Sequence, residues 1–186
     1  DSIVIGPGLG TDDIAKNMVQ YTVSKASVPV VIDADGLNIL ADDMDILKSA
    51  QEKLILTPHI KEMSRMIKKD VDYVVNNKLE VARYITEEYN VVCVLKSDRS
   101  IVPMLNGKTY INISGNNGMA TGGSGDILTG IIAALLAVGM DSEEAAALGC
   151  YVHGLAGDLA REELGEYSMI ASDIIACISK VLRRNK

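Results

Sequence analysis

Val91-Val92-Cys93-Val94-Leu95 is an unbroken apolar and mostly β-branched run that stops abruptly at Lys96-Ser97-Asp98. A run of that length with no polar face fits a strand covered on both sides, as in a parallel sheet held between helices. Working outward, the same pattern recurs at Ser2 to Ile5, Pro29 to Ile32 and Leu54 to Leu56, each ending in a turn with polar residues or glycine. Longer segments of helical period lie between these runs, at Asp12 to Ala26 behind a Thr11 cap, around Lys61 to Ile67 and at Asp72 to Tyr89. This alternation predicts βαβ units and a mostly parallel sheet with helices on both faces. After Leu95 the signal changes. Ser100 to Leu105 and Lys108 to Ile113 flank Asn106-Gly107, a hairpin marker, so antiparallel strands are expected to extend the sheet. Helices at Asp126 to Val138, Ser142 to Leu164 and Ala171 to Arg183 then follow almost consecutively. With no repeat or low-complexity linker, a single layered α/β domain over residues 1–186 is expected.

Composition narrows the function classes. The chain is 48% hydrophobic with a formal charge of −7. It therefore reads as a globular protein with neither nucleic acid nor an anionic membrane as its main partner, since both call for a basic surface. A bound anion needs only a local cluster of donors. Trp and Phe are absent, which removes an aromatic platform for single-stranded nucleic acid. The longest apolar stretch, Ile127 to Val138, contains Thr129 and Gly130 and falls short of the roughly 20 residues that span a bilayer. Cys93, Cys150 and Cys177 are far apart, form no CxxC pair and read as buried thiols in a reducing compartment. No signal-peptide pattern opens the chain, so a cytoplasmic location is expected.

The chemistry is expected where Ser114-Gly115-Asn116-Asn117-Gly118-Met119-Ala120-Thr121-Gly122-Gly123-Ser124-Gly125-Asp126 runs into the apolar helix that begins Ile127-Leu128-Thr129. Glycines let backbone N–H groups converge, and a helix start adds unpaired donors with positive partial charge, so the junction suits a phosphate. At that helix start Asp126 is expected to accept a proton late in phosphoryl transfer, when the attacking oxygen has become acidic. Read on its residues alone, the loop is also compatible with a flexible turn and Asp126 with a helix cap, because the pattern matches neither the Walker nor the dinucleotide fingerprint. Likewise Lys96 reads as a turn residue in solvent or, from its place at the carboxyl end of a parallel strand, as a functional one.

Asn116-x-Gly118-Met119-Ala120-Thr121-Gly122-Gly123-Ser124-Gly125-Asp126-x-Leu128-x-Gly130 resembles the signature of the ADP/ATP-dependent NAD(P)H-hydrate dehydratases, repair enzymes of the ribokinase-like superfamily. Further motifs fall in the family's order: Ile5 to Gly10, Asp33 to Asn38, Leu56-Thr57-Pro58-His59-x-x-Glu62-Met63, Val94-Leu95-Lys96 and Tyr151-x-His153-Gly154-Leu155-Ala156-Gly157-Asp158. The resemblance implies a ribokinase-like fold and a reaction that returns hydrated NADH or NADPH, NAD(P)HX, to NAD(P)H at the expense of ADP or ATP. In that scheme Asp126 activates the hydrate's hydroxyl and the Gly123 to Gly125 backbone forms the anion hole. Lys96, Ser97, Asp98, Arg99 and Ser100 contact the nucleotide on one side, with Thr121, Gly122, Gly123, Ser124 and Gly125 on the other. Gly8 and His59 line the hydrate pocket together with Asp126, and Glu62 acts indirectly on a phosphate-bound Mg2+. His153 reads as a packed core histidine, Asp33 and Asp35 as caps for Leu37 to Leu40, and Asp158 as structural.

The chain departs from the family at Ile60 and Lys61, where Pro and Gly are usual, and at Ser97, where Gly usually follows the lysine. These changes bear on the shape of the nucleotide loop, and Asp98-Arg99 bears on the adenine contacts and the choice between ADP and ATP. Several elements usually precede the Gly-Pro-Gly-Leu-Gly motif, so an amino-terminal portion of the domain is expected to be absent. Exposed apolar surface would then favour a homo-oligomer. Two further classes share the same residues: a kinase for a vitamin-like alcohol in the same superfamily, and a non-catalytic nucleotide-binding module.

Overall fold

The computed structural model describes residues 1–183. Strands β1 (Ile3–Ile5), β2 (Val30–Ile32), β3 (Leu54–Leu56) and β4 (Val92–Cys93) pair in parallel in the order of the chain. Their register sets Ile5 beside Ile32, Ile32 beside Leu56 and Leu56 beside Cys93. The carboxyl ends therefore line up, and whatever follows each strand emerges along one edge.

Successive strand residues point to opposite faces, and two separate cores follow. On one face Val30, Ile32, Leu54, Leu56 and Cys93 pack with Val19, Leu40, Met63 and Ile85. Those partners come from α1 (Asp13–Lys25), α2 (Asp35–Leu40), α3 (Ile60–Met66) and α5 (Lys78–Tyr89). On the other face Val31, Ile55 and Val92 meet Leu128, Ile132 and Cys150, carried by α6 (Ser124–Ala137) and α7 (Ser142–Leu164). The last helix, α8 (Ala171–Arg183), lies on α7, where Val152, Ala156, Ile174 and Cys177 form a third cluster. Among the described residues no helix is long and apolar enough to cross a membrane.

Several elements differ from the sequence reading. The helix expected from Asp72 to Tyr89 is broken into α4 (Val71–Asn76) and α5. At the break Asn77 leaves helical geometry, with φ −128° and ψ 31°, while its side-chain amide donates to the Tyr73 carbonyl at 2.8 Å. Asparagine competes in this way for the backbone groups that would otherwise continue the helix. The α1 cap is Asp12, not Thr11, through a 2.8 Å bond from the Ala15 N–H. Asp35 lies inside α2, with Ala34 at the cap position, so neither Asp33 nor Asp35 caps that helix by its side chain. The hairpin forms, but as the short strands β5 (Ile101–Pro103) and β6 (Thr109–Ile111) in a separate two-stranded sheet. It meets the parallel sheet through one antiparallel bridge, Leu95 with Ile101.

Two glycines let the loops after β1 and β2 touch. A Cβ on Gly6, at φ +121°, would lie 1.9 Å from the Asp33 carbonyl oxygen, and one on Gly36 would lie 2.8 Å from Ile32 Cγ2. Gly8 has φ +66° with open space where a Cβ would go. Gly6→Ala is therefore expected to destabilise by about 3 kcal/mol or more, combining clash and strain. Gly8→Ala is expected to cost only about 1–2 kcal/mol from the left-handed backbone. Urea unfolding of both variants measures the difference.

Candidate active site at the carboxyl edge of the sheet

The residue after β2 is Asp33, 1% exposed, and its carboxylate is the centre of a small network. Oδ1 accepts from the Ala34 N–H at 2.8 Å and from Lys96 Nζ at 2.7 Å. Oδ2 accepts from the Thr129 hydroxyl of α6 at 2.8 Å. Burial opposes ionisation of Asp33. The Lys96 charge, with the hydrogen bonds from Lys96, Thr129 and Ala34, outweighs it and holds the carboxyl below its ordinary range. Lys96 reaches this place because the chain beyond β4 stays extended beside the residues after β3. Its N–H donates to the Pro58 carbonyl at 2.8 Å, and His59 and Lys96 form a parallel bridge.

Helix α6 begins against this pair. Gly123 holds φ +89° at the cap position, Ser124 opens the helix, and Asp126 lies within the first turn. Asp126 is thus neither the first residue of the helix nor its cap. The Gly125 and Asp126 N–H groups carry no hydrogen bond among the described residues. A Cβ on Gly125 would lie 3.3 Å from Lys96 Nζ and 3.8 Å from Asp33 Oδ2, so glycine here brings the helix start up to the ammonium. The Asp126 side chain is exposed, makes no ion pair among the described residues, and stands at the head of an apolar groove lined by Gly130, Ile131, Ala134, Ile175 and Ile178.

At the end of β3, His59 caps α3. Its Nδ1 accepts from the Lys61 and Glu62 N–H groups at 3.0 and 3.1 Å, and the His59 N–H donates to Glu62 Oε2 at 2.8 Å. That assignment makes Nδ1 the acceptor and places the ring proton on Nε2, 3.4 Å from Glu62 Oε1. Burial, followed by the Lys96 and Arg65 charges, lowers the His59 pKa. Burial raises that of Glu62, opposed in part by the His59 N–H. The Glu62 side chain is only 7% exposed and both its oxygens face His59. Among the described residues there is no group of three or more His, Cys, Asp or Glu spaced to hold a metal ion.

The glycine-rich loop is moored to α7. Asp158 of α7 accepts from the Gly115 N–H at 2.9 Å and the Asn116 side-chain amide at 3.1 Å, and Glu166, in the turn just beyond α7, accepts from the Asn117 N–H at 3.1 Å. Cβ atoms on Gly154 and Gly157 would strike Ser114 Oγ at 2.1 Å and Met119 Sδ at 2.2 Å. His153, buried on the same helix, has Nε2 3.3 Å from the Ser124 hydroxyl. Burial pushes its pKa down to about 4. It is a core histidine, as the sequence suggests, and it contacts the residue that opens α6.

A family model described as NAD(P)H-hydrate dehydratase matches residues 1–180. The chain belongs to the NAD(P)H-hydrate dehydratase family. It is 42% identical over 183 residues to the bifunctional NAD(P)H-hydrate repair enzyme Nnr of Moorella thermoacetica, covering 98% of this chain and 34% of that protein. The ADP/ATP-dependent NAD(P)H-hydrate dehydratase of Bacillus subtilis, co-crystallized with ATP and Mg2+, superposes with a TM-score of 0.85 at 28% identity. That match covers all of this chain and 65% of the Bacillus one. A ribokinase-like superfamily protein of Enterococcus faecalis superposes with a TM-score of 0.82 at 27% identity, over 98% of this chain and 63% of that one. The fold is the ribokinase-like α/β arrangement, and the chain spans about a third of the length of the Nnr relative it matches.

The dehydratase-family residues singled out in the sequence fall into two sets. Lys96, Gly125 and the α6 start converge, with His59 beside Lys96 through the backbone bridge. The turn after Lys96 stands outward. Ser97 Oγ donates to the Arg99 carbonyl at 2.8 Å, Arg99 is exposed, and Asp98 pairs with Lys78 at 2.6 Å, which lowers the Asp98 pKa. Gly8 is exposed on the β1 loop, which Gly10 ties to Asp35 through a 2.9 Å bond from its N–H. Thr121 and Gly122 occupy the turn before Gly123. Asp33 and Thr129 are the members that the sequence reading did not assign to the site. A lone acid directly after a wholly apolar strand, and a hydroxyl one helical turn beyond Gly125, were the available signals.

His153 gives this site a pH signature. Its folded pKa is about 4 against an ordinary value of 6.5, so the unfolded chain takes up a proton in that window and the folded chain does not. Its contribution is complete above pH 6.5 and is lost as pH falls toward 4, by up to about 3 kcal/mol. The lowered His59 pKa acts in the same direction. Urea unfolding across that range is expected to show the decline, and His153→Gln to flatten it.

Proposed function

We propose that this chain carries the nucleotide-dependent dehydration of NAD(P)HX, converting ADP or ATP to AMP or ADP and releasing NAD(P)H and inorganic phosphate. The observation that carries this reading is the approach of Lys96 to Gly125 at a helix start whose next amides are free. Family membership supports it, and so does the name of the Bacillus relative, an ADP/ATP-dependent NAD(P)H-hydrate dehydratase.

In this reading the terminal phosphate of the nucleotide lies against the Gly123 to Gly125 backbone, where fixed N–H donors and the positive end of α6 meet the charge that shifts during transfer. Lys96, with donors beyond the one given to Asp33, adds a point charge. Residues Ser97 to Ser100 and Thr121 border the nucleotide, and Gly8 and His59 border the hydrate. The hydrate's hydroxyl oxygen attacks the terminal phosphorus, the bond to the departing AMP or ADP breaks, and Asp126 takes the hydroxyl proton. The lone pair on the ring nitrogen then drives cleavage of the C–O bond and expels phosphate. Loss of a proton from the adjacent carbon restores the double bond of the dihydropyridine.

The donor set fits magnesium only as a companion of the nucleotide. Glu62 directs both oxygens at His59, and no three-ligand cluster exists among the described residues. Mg2+ commonly keeps several waters and takes most of its remaining ligands from phosphate, where it neutralises charge. Glu62 would then act on it only indirectly. The three free, buried thiols support a reducing, cytoplasmic setting. Exposed Ile14 and Tyr21 on α1, with Ile175 and Leu182 on α8, support self-association into a homo-oligomer.

Incubation with hydrated NADH and either ADP or ATP is expected to yield NADH and free phosphate in equal amounts. A stable phosphorylated product from a vitamin-like alcohol, with hydrated NADH left untouched, would replace this reading with a kinase; nucleotide binding with no turnover would leave a binding module. Asp126→Asn is expected to lower kcat by about 10²–10⁴-fold, the scale of a lost general base, with ADP affinity within a few-fold. Calorimetry alongside turnover separates the two effects, and equal loss in both would remove Asp126 from the base role. Lys96→Ala is expected to weaken ADP or ATP binding more than hydrate binding, again by calorimetry on each ligand.

A further inference from the structure

We propose that Asp33 and Thr129 are positioning residues that hold the Lys96 ammonium at the start of α6, so that its remaining donors face the phosphate; the phosphate part of the proposal rests on the function proposed above. The chain of contacts is continuous. Thr129 Oγ1 donates to Asp33 Oδ2 at 2.8 Å, and Lys96 Nζ donates to Asp33 Oδ1 at 2.7 Å. The place for a Gly125 Cβ lies 3.3 Å from the same nitrogen.

Each link has a physical reason. A lysine carries a flexible four-carbon stem, and its head takes a fixed place only when a partner fixes it. Asp33 can do so because its own geometry is closed: it is 1% exposed, and it is held by the Ala34 N–H on one oxygen and by Thr129 on the other. Thr129 lies one turn beyond Gly125 on the same side of α6, so the helix that offers the free amides also fixes the carboxylate that aims the lysine. A movement of α6 therefore carries both parts of the proposed phosphate site together. The Lys96 side chain is 18% exposed, which leaves its head within reach of a ligand.

Reductive methylation of lysines with labelled formaldehyde and a borane reductant, resolved by peptide mass spectrometry, reads the hold on Lys96 without any nucleotide. Asp33→Asn and Thr129→Val are expected to speed Lys96 labelling by about tenfold, the equivalent of one lost charge-assisted hydrogen bond. Exposed Lys61 and Lys108 serve as internal controls and should keep their rates in every variant. Thr129→Ser retains the hydroxyl and should restore the slow rate, a rescue that a purely packing role for the threonine would not give. An unchanged Lys96 rate in Thr129→Val with both controls constant overturns the proposal, as does failure of Thr129→Ser to restore it.

ADP affinity supplies the second arm. Asp33→Asn is expected to weaken ADP binding in the parent chain and to have no further effect in Lys96→Ala, because it acts only through the lysine. Equal losses in both backgrounds overturn the proposal. If labelling responds as expected but ADP neither binds the parent chain nor slows methylation of its Lys96, the positioning stands and the nucleotide reading is what fails.

Discussion

A carboxylate taken out of water must be given a full set of partners, and Asp33 imposes that requirement at the end of β2. Meeting it draws together a backbone N–H from its own turn, an ammonium from beyond β4 and a hydroxyl from α6. They lie as many as 96 positions from Asp33 along the chain. Removing any one would leave the buried charge short of a partner, so the relative placement of β2, the residues after β4 and α6 is tied to one side chain. The same requirement leaves a lysine head beside a helix start whose amides are open. A feature needed to tolerate burial thus also sets an ammonium and open backbone donors in one corner of a chain whose formal charge is −7.

Close backbone approach is the second constraint. Gly6 and Gly36 let the β1 and β2 loops meet, Gly125 lets α6 reach Lys96, and Gly154 and Gly157 let α7 accept the loop that leads into α6. At Gly6, Gly36, Gly154 and Gly157 a side-chain carbon would lie under 3.0 Å from a neighbouring atom, with a left-handed backbone as an added demand at Gly6, whereas at Gly125 it would only crowd the Lys96 head at 3.3 Å. Asp158 then anchors the same loop through Gly115 and Asn116, and His153 meets Ser124 from the core side. The glycine-rich loop is therefore built as a docked structure and not as a slack turn.

His59 and Glu62 show how a helix cap can also set a side chain beside Lys96. Their reciprocal bonds form a capping box that starts α3, which accounts for their spacing without any ligand. Because β3 ends beside β4, the same cap also places a half-exposed imidazole next to Lys96. The nearby cation disfavours a second positive charge there and adds to the effect of burial on the histidine.

The sequence by itself determined the α/β class, the four parallel strands and most helices, because unbroken β-branched runs and helical periodicity are local signals. It also determined the glycine-rich entry to α6 and the family, since those rest on contiguous residues. Other features were decided by tertiary structure alone. Asp33 reads locally as a turn residue before a short helix, and only the common register of β2, β3 and β4 brings Lys96 to it. Thr129 reads as a blemish in an apolar helix until α6 is laid across the sheet and its hydroxyl finds Asp33. The break at Asn77 and the shortness of the hairpin strands were likewise beyond a pattern reading, since they turn on competition between side-chain and backbone hydrogen bonds and on which strands find neighbours. Periodicity records which residues seek burial. It does not record which buried polar groups will satisfy one another, because that depends on distances between segments that the chain brings together only when it is folded.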